Sequence, residues 1–403
     1  MDSLTQLTLG AAVGEAVLGK KVGNRAMVWG AFGGLLPDFD VFARFFTDEI
    51  TALAFHRGFM HSIVFSILMA FVFGWLVEWL YRSGTYRKRR YKGFVIFFIL
   101  SIYTLLILGM NMIFQSSVVL IGGAVGGLAI GWFLWSAYLS KEMNDVQATR
   151  QGWILLFFLS IVTHPILDCF TTFGTQLFLP FTNLRVSWDN ISVADPIYTV
   201  PLLLGVLIAS FISRNNQMRR VANWIGIGLS SAYMVFTFYH KAQFNKIFEA
   251  SLAKEGIEYS RFMSGPTILQ NFLWLGVAEG DTAYYHGYYS FFDKEPIIKK
   301  FSVLPKHHEL IAHLENEKDI KILKWFSKDY YNIIVRRDGR LQLNDLRYGS
   351  FEEGFEDEDD YIFKFILTEK DGKLEVDESR GGREISQDAF AKYIDRVFAR
   401  TKK

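Results

Sequence analysis

The chain has 403 residues, of which 51% are hydrophobic and 16% aromatic, with a mean hydropathy of +0.18. This composition is too apolar for an ordinary soluble protein of that length, so it predicts membrane-spanning segments together with a soluble part. The basic residues lie in short loops and form no face interleaved with aromatic side chains, which argues against a nucleic-acid partner. Cys169 is the single cysteine, which excludes an intrachain disulfide and a cysteine-based zinc site.

Charge divides the chain into two parts. Residues 1–240 are poor in charged residues and carry a net charge of +5, whereas residues 241–403 are rich in them and carry −3. We therefore predict a helical transmembrane domain over residues 1–240 and a soluble α+β domain over residues 241–403.

Two apolar segments open the chain, at residues 7–18 and 26–36. Each is about a dozen residues long, less than the roughly 20 residues that a helix needs to cross a bilayer. We expect two short helices that pack closely, because Gly10-x-x-x-Gly14 and Gly30-x-x-x-Gly34 leave facing positions without side chains.

Longer apolar segments follow, each with the approximate length of a membrane-spanning helix. The six segments are 61–81, 93–114, 117–139, 152–170, 196–213 and 221–239. The connection from Arg82 to Lys92 is the most basic, which places it in the cytoplasm by the positive-inside rule, and the other basic loops agree with that orientation. We therefore predict a polytopic α-helical protein of the cytoplasmic membrane whose C-terminal domain is extracytoplasmic.

The C-terminal part has the pattern of antiparallel hairpins. Turn signals separate three pairs of alternating segments, at Glu279-Gly280-Asp281, Arg337-Asp338-Gly339 and Lys370-Asp371-Gly372. Asp-Gly between alternating runs is a strong hairpin signal. Residues 306–327 and 385–400 have helical periodicity. Together these patterns predict a small α+β domain with an antiparallel sheet.

In this topology the polar residues of the apolar part lie toward one side of the membrane. Those on or near the outer face are Gln6, Asp38, Asp40, His56, His61, Asp168, Asp189 and Asp195. His164 lies about one helical turn deeper. Charged side chains within a membrane are costly unless a partner satisfies them. One-sided clustering therefore favours a functional site over scattered structural residues.

Two elements bring histidines and carboxylates into turns. Asp38 and Asp40 stand two residues apart after Pro37, which favours a bend that lets both side chains face one site. His56 and His61 lie on different sides of any helix, but a turn between them lets the two imidazoles converge.

A third element lies at the end of an apolar segment. If the helix continues past Pro165, the i,i+4 spacing places His164 and Asp168 on one face. The bland alternative is a buried histidine–aspartate hydrogen bond that locks two helices together.

Neutral imidazole and carboxylate are ligands of zinc, manganese and iron, and sets with open positions activate water. A dication also removes the mutual repulsion of clustered carboxylates. We predict a divalent-metal site, with zinc as the first choice and manganese or iron as alternatives. Arg57 beside such a site would bind a carboxylate or phosphate group bidentately.

The order and spacing of four motifs are specific: Met1-Asp2-Ser3-Leu4-Thr5, Leu36-Pro37-Asp38-Phe39-Asp40, His56-Arg57-Gly58-Phe59-Met60-His61-Ser62 and Thr163-His164-Pro165-Ile166-Leu167-Asp168. Together they resemble the bacterial YdjM-like family of predicted membrane-bound metal-dependent hydrolases. The resemblance implies metal-site candidates at Asp38, Asp40, His56, His61, His164 and Asp168. Family members commonly have a histidine where this chain has Gln6. If that histidine is a ligand, the site in this chain coordinates through an amide oxygen, has one more open position, or has lost metal affinity.

Functions of different classes follow from these observations. The first is a metal-dependent hydrolase at the outer face of the membrane, acting on a phospholipid or another envelope phosphoester. Its catalytic residues would be Asp38, His61 and Arg57, and membrane lipids would be its partners. The second is a non-catalytic envelope binding or scaffold protein with a structural metal or His–Asp network. Transport ranks below both, because it needs ionisable groups on both sides of the midplane and Glu78 is the obvious inner-side candidate.

Overall fold

The computed structural model describes residues 1–140, 146–350, 354–370, 373–379 and 387–400. It contains two compact units. The first joins Met1–Ala70 to Leu156–Lys403, and the second is Phe71–Leu155. The candidate metal-site residues and the C-terminal sheets all belong to the first unit.

The N-terminal part is helical. Its α-helices are α1 (Ser3–Val22), α2 (Asn24–Leu35), α3 (Glu49–Phe55), α4 (Ile63–Arg82), α5 (Arg89–Phe114), α6 (Ser117–Leu134), α7 (Arg150–Asp168), α8 (Pro196–Phe211) and α9 (Gln217–Lys254). In the part of the chain that the structure describes, five helices are long and apolar enough to cross a membrane, namely α4, α5, α6, α7 and α9.

The predicted number of spans differs from this set. The segment predicted at 196–213 is α8, which has only 16 residues. The first N-terminal helix, α1, has 20 residues and is longer than predicted, whereas α2 has 12. The prediction of six long spans after two short helices is therefore not confirmed.

Glycines let α1 and α2 touch backbone to backbone. A side chain at Gly10 would collide with the carbonyl of Gly30, and one at Gly14 would collide with that of Ala26. This close packing, predicted from the two glycine pairs, is confirmed, and it brings the C-terminal end of α2 beside Gln6 at the start of α1.

The second unit contains the helices between residues 71 and 155. Tyr103 in α5 donates a hydrogen bond of 2.9 Å to the carbonyl of Gly123 in α6. Glu78 lies 3.3 Å from Arg150 and 3.6 Å from Arg82. Glu78, the inner-side candidate for a transport function, is thus paired with two arginines.

The C-terminal part contains two four-stranded antiparallel sheets, each in chain order. The first consists of β1 (Arg261–Pro266), β2 (Leu273–Glu279), β3 (Ala283–Ser290) and β4 (Phe301–Pro305). The second consists of β5 (Tyr331–Val335), β6 (Leu341–Asp345), β7 (Phe363–Lys370) and β8 (Lys373–Ser379). Helix α10 (Lys318–Phe326) precedes the second sheet and α11 (Gln387–Val397) follows it.

The predicted hairpins correspond to β2–β3, β5–β6 and β7–β8, which pair antiparallel. Residues 371 and 372, the predicted turn of the last hairpin, lie outside the described residues. Strand β1 was not predicted, because Ser264, Gly265 and Pro266 interrupt its pattern. The single predicted sheet is therefore two sheets in the structure.

Two hydrophobic cores join the helices to the sheets. Phe244 and Phe248, on the last turns of α9, pack with Trp274 of the first sheet. Phe173, just after α7, packs with Phe326 of α10 and with the second sheet. Since α9 runs without a break to Lys254, the domain boundary at residue 240 stays a prediction.

Candidate metal centre

Three local structures carry the candidate residues. A 3-10 helix, Leu36–Phe45, begins with Pro37 in its first turn and carries Asp38 and Asp40. A second 3-10 turn, Phe59–His61, ends at His61 just before α4. Helix α7 continues through Pro165 to its last residue, Asp168, so the predicted i,i+4 pairing of His164 with Asp168 is present, with 3.4 Å between His164 Nε2 and Asp168 Oδ2.

Asp38, His61 and His164 form a triangle of possible ligand atoms. The two Nε2 atoms are 3.1 Å apart. Asp38 Oδ1 lies 3.6 Å from Nε2 of His61 and 3.3 Å from Nε2 of His164. Ligand atoms held about 2.0–2.1 Å from a tetrahedral zinc ion lie about 3.3 Å from one another. The triangle therefore has the size of one face of a zinc coordination tetrahedron.

The far nitrogens of the two imidazoles fix where their protons lie. His164 Nδ1 donates a hydrogen bond of 2.5 Å to the carbonyl of Gly34. Asp40 Oδ2 lies 3.0 Å from His61 Nδ1, which favours the proton on that nitrogen. Both Nε2 atoms then present lone pairs to each other. Since two facing lone pairs repel, a cation or a proton between them is needed, and these residues fit a divalent cation.

Asp168 lies against the same two imidazoles. Its Oδ2 atom is 3.4 Å from Nε2 of both His61 and His164. That oxygen is buried and accepts no hydrogen bond within the described residues. Its other oxygen, Oδ1, accepts a 2.9 Å hydrogen bond from Gln6 Nε2 and also contacts the amino group of Met1. Asp168 is thus held from one side and directs an unsatisfied oxygen toward the imidazoles.

Asp40 and His56 lie behind His61, away from the triangle of ligand atoms. His56 Nδ1 donates to Asp40 Oδ1 at 2.8 Å, and the backbone N–H of Arg57 donates to Asp40 Oδ2 at 2.8 Å. Burial would raise the pKa of Asp40, but its hydrogen bonds with His56 and His61 bring that pKa down to about 2. Asp40 is therefore an ionised carboxylate that orients both histidines.

Arg57 is buried beside Asp168. Its Nε atom is 3.2 Å from Asp168 Oδ2, and its Nη1 donates a 2.8 Å hydrogen bond to Thr171 Oγ1. Its guanidinium carbon lies 4.7 Å from the centre of the Phe173 ring. The residue has left-handed backbone angles, with φ of 59°, a conformation that non-glycine residues adopt at an energetic cost. The guanidinium balances Asp168, and its predicted contact with a substrate anion stays a prediction.

Access to the centre is from one side. The side chains of Asp38 and His56 are 25% and 28% exposed, whereas those of His61, His164 and Asp168 are at most 1% exposed. Burial would raise the pKa of Asp38, but contacts with His164 and His61 hold that pKa well below its usual range. A ligand from outside would meet Asp38 and His56 first.

Some residues contribute to the centre in ways that the sequence could not predict. The Gly34 carbonyl fixes the tautomer of His164, but any residue has a carbonyl. Thr171 and Phe173 hold Arg57, and their neighbours in the sequence are equally plausible partners. Gln6 is the exception, because the resemblance to the YdjM-like family drew attention to its position, and its amide donates a hydrogen bond to Asp168.

A second group of possible ligands lies in the C-terminal part, at Asp357, Glu358 and Asp359. Asp357 and Glu358 pair with Arg337 and Arg336 at 2.8 Å and 2.9 Å. These two carboxylates already form ion pairs with arginines. The second group therefore differs from the first, in which Asp168 Oδ2 accepts no hydrogen bond among the described residues.

The comparison with known families agrees with the motifs of the centre. The profile of the YdjM inner membrane protein family matches residues 1–244, which include every residue described above as a possible ligand of the first centre. The chain belongs to this family. Searches of curated proteins and of solved structures found no match. The YdjM family assignment and the five apolar helices together identify a membrane protein. The hydrolytic activity and the side of the membrane on which the centre opens stay predictions.

Proposed function

We propose that this protein is a metal-dependent hydrolase embedded in the cytoplasmic membrane, with a divalent cation, zinc as the first choice, held by Asp38, His61 and His164. The observation that carries the proposal is the pair of Nε2 atoms that face each other at 3.1 Å. The far nitrogen of His164 is hydrogen-bonded to the Gly34 carbonyl, and that of His61 lies 3.0 Å from Asp40 Oδ2. A cation at this position would supply Lewis-acid activation of water.

The remaining residues have distinct roles in this proposal. Asp168 would orient that water by accepting a hydrogen bond at Oδ2, because that oxygen is buried and accepts no hydrogen bond among the described residues. Arg57 offsets the charge of Asp168 and eases the approach of an anionic substrate. His56, the partly exposed imidazole, is held at Nδ1 by Asp40, so its Nε2 can accept a hydrogen bond from the substrate at the entrance. The leaving group would take its proton from solvent there. Asp40 positions His61 and His56 and binds no metal.

An apolar surface beside Asp38 supports a lipid substrate. Phe39, Phe42 and Phe45 are 43%, 53% and 78% exposed and follow one another at every third position of the 3-10 helix. Their rings lie 5.9 Å and 6.2 Å apart, centre to centre. This aromatic row (Phe39, Phe42 and Phe45) starts next to the partly exposed carboxylate of Asp38, as acyl chains beside a phosphoester headgroup would require. We therefore infer a phospholipid or related envelope phosphoester at the outer face.

Turnover of matched substrates tests this function. Zinc-loaded protein in detergent would be assayed with phosphatidic acid and with a water-soluble phosphomonoester, together with the Asp38→Ala and His61→Ala variants. We expect phosphate release that is lost in both variants and after chelation, with faster release from the lipid. The His313→Ala variant is the matched control, because His313 is exposed and lies away from the centre, where its described partner is Glu369 at 2.9 Å. Equal turnover in wild type and both site variants would contradict the proposal.

A structural role for the metal is the second candidate. Arg347 of the C-terminal part donates a 3.3 Å hydrogen bond to the carbonyl of Thr172, and Phe326 packs on Phe173 at 5.1 Å. The centre thus lies close to a junction that a structural metal would brace. Removal of the metal separates the two functions, because it unfolds the protein if the metal is structural and only stops turnover if the metal is catalytic.

A further inference from the structure

A cavity lies at the opposite end of α1 from the metal centre. It has a volume of about 700 Å³ and is formed where the last turn of α1 meets the connection between α8 and α9. Its lining residues are Lys20, Arg214, Asn215, Asn216, Gln217, Arg220, Val221, Trp224 and Ile225. Since Gln6 touches Asp168 and α1 rises about 1.5 Å per residue, Lys20 lies roughly 21 Å along the helix from the metal centre.

One side of the cavity lining is cationic. Lys20, Arg214 and Arg220 line it, and no lining residue is acidic. Within the described residues, none of these three side chains forms an ion pair. Arg214 is held in place by a 2.8 Å hydrogen bond from Nη1 to the carbonyl of Lys21. The cavity therefore presents three positive charges that the chain itself does not balance.

The neighbouring arginine shows that this lack of balance is local. Arg219 is buried and makes a two-point ion pair with Glu15, with distances of 2.6 Å and 2.5 Å. Glu15, the acidic residue of α1, is thus bound to an arginine outside the cavity lining. Among the described residues, no acidic side chain pairs with the positive charges on the cavity side, so an external anion could balance them.

The apolar part of the cavity lining lies on α9, a helix that is long and apolar enough to cross a membrane. Val221, Trp224 and Ile225 are 43%, 54% and 56% exposed and share one face of α9 through their i,i+3 and i,i+4 spacing. Large side chains exposed on such a helix are suited to acyl chains. Asn216 caps α9 by accepting a 2.9 Å hydrogen bond from the backbone of Met218, so the amide dipoles of α9 also point toward the cationic wall.

We propose that this cavity binds an anionic phospholipid, with the headgroup phosphate at Lys20, Arg214 and Arg220 and the acyl chains along Val221, Trp224 and Ile225. Cationic pockets at the ends of membrane helices recognise anionic headgroups in this way. The site is separate from the metal centre and does not depend on hydrolysis. Because α1 contacts both, the bound lipid would hold the end of the helix opposite to the catalytic end.

Retained lipid measured by native mass spectrometry tests the proposal. Purified full-length protein would be mixed with equal amounts of phosphatidylglycerol and phosphatidylcholine, and the lipid bound per chain would be counted. We expect a preference for phosphatidylglycerol that falls about fivefold for each cation removed, so about 25-fold in the Lys20→Gln/Arg220→Gln double variant. The Lys20→Arg/Arg220→Lys variant keeps both charges and should keep the preference.

Two further experiments, competition with inorganic phosphate and the Trp224→Ala variant, test whether the ligand is a lipid. Inorganic phosphate at millimolar concentration should not displace phosphatidylglycerol, since it lacks the contacts with the apolar wall, and Trp224→Ala should weaken retention of the lipid. Displacement by phosphate would overturn the lipid as the occupant. Equal retention of the two lipids by the wild-type protein, or unchanged retention in the double glutamine variant, would overturn the site itself. If the double variant does not fold, the wild-type comparison and the Arg220→Gln single variant still decide.

Discussion

Two buried carboxylate–arginine pairs stand at opposite ends of α1, and they differ in how completely they are satisfied. At one end, Arg219 grips Glu15 through two nitrogens at 2.6 Å and 2.5 Å and donates further bonds to Asn24 and to the carbonyl of Ile212. At the other end, Arg57 Nε lies 3.2 Å from Asp168 Oδ2, and neither atom has a hydrogen-bond partner among the described residues.

We interpret the Glu15–Arg219 pair as a structural ion pair and the Asp168–Arg57 pair as part of a ligand-binding centre. A buried charge is tolerated when its hydrogen-bonding capacity is used, and the Glu15–Arg219 pair meets that condition without any ligand. The Asp168–Arg57 pair does not, because Asp168 Oδ2 and Arg57 Nε have no hydrogen-bond partner among the described residues and Asp168 Oδ2 lies 3.4 Å from Nε2 of both imidazoles. In our proposal a cation completes the second pair, so the two pairs should respond differently to the same perturbations.

The largest expected effect is the loss of metal binding in His61→Ala. This change removes one corner of the ligand triangle and leaves Asp38 and His164 with two ligand atoms. We expect metal affinity to fall by more than about 100-fold, since even changes to residues that only orient a ligand cost up to that factor. Competition with a fluorescent chelator measures it, with His313→Ala as the control. Wild-type affinity in His61→Ala would mean that the metal does not use this triangle.

Glu15→Gln should instead destabilise the protein and leave metal affinity unchanged. The substitution removes the charge that balances a buried arginine, which typically costs about 3 kcal/mol in the free energy of unfolding. Denaturation in detergent measures that loss. Glu279→Gln is the control, because Glu279 pairs with Arg261 and Lys306 near the surface, where such pairs contribute about 1 kcal/mol or less. A drop in metal affinity in Glu15→Gln would show that the two ends of α1 are coupled.

Asp40→Asn should weaken the metal centre without removing a ligand. The amide keeps the shape of the side chain but loses the charge that holds the His61 and His56 protons. We expect metal affinity or turnover to fall by about 10-fold to 100-fold, the usual range for a residue that orients a metal-binding histidine. A loss as large as that of His61→Ala would instead identify Asp40 as a direct ligand, as the sequence motif allowed.

The smallest expected effect concerns Gln6. Gln6→Ala removes one hydrogen bond to Asp168 Oδ1, which should weaken metal binding about fivefold, equivalent to about 1 kcal/mol. Gln6→His places an imidazole where the resemblance to the YdjM-like family leads us to expect one, and metal affinity should equal or exceed that of the wild type. Chelator competition on both variants measures the difference. Weaker binding in Gln6→His than in Gln6→Ala would show that this chain has adapted its site to the amide.

Periodicity and turn chemistry were enough to predict several of these features. The i,i+4 spacing paired His164 with Asp168, the glycine pairs brought α1 onto α2, and Asp-Gly turns located the hairpins. These signals are local, so a single stretch of sequence contains them. The family motifs added the order in which the candidate residues occur, but no geometry.

The features that the sequence did not predict depend on distant contacts. Hydropathy falls after residue 239, yet α9 continues to Lys254 because Phe244 and Phe248 pack on the first sheet. Asp38 and Asp40 reach opposite nitrogens of His61 because a 3-10 helix carries both. The tautomer of His164 depends on a backbone carbonyl from α2. These three contacts join residues that are far apart in the sequence, so no local pattern predicts them.

The central claim is that the facing imidazoles hold a divalent cation, and elemental analysis tests it most directly. Protein purified in detergent would be measured by inductively coupled plasma mass spectrometry as wild type, His164→Ala and Glu15→Gln. We predict about one zinc, manganese or iron ion per chain in the wild type and in Glu15→Gln, and none in His164→Ala. A wild-type protein that holds no metal even after reconstitution, or a His164→Ala variant that holds as much as the wild type, would contradict the account.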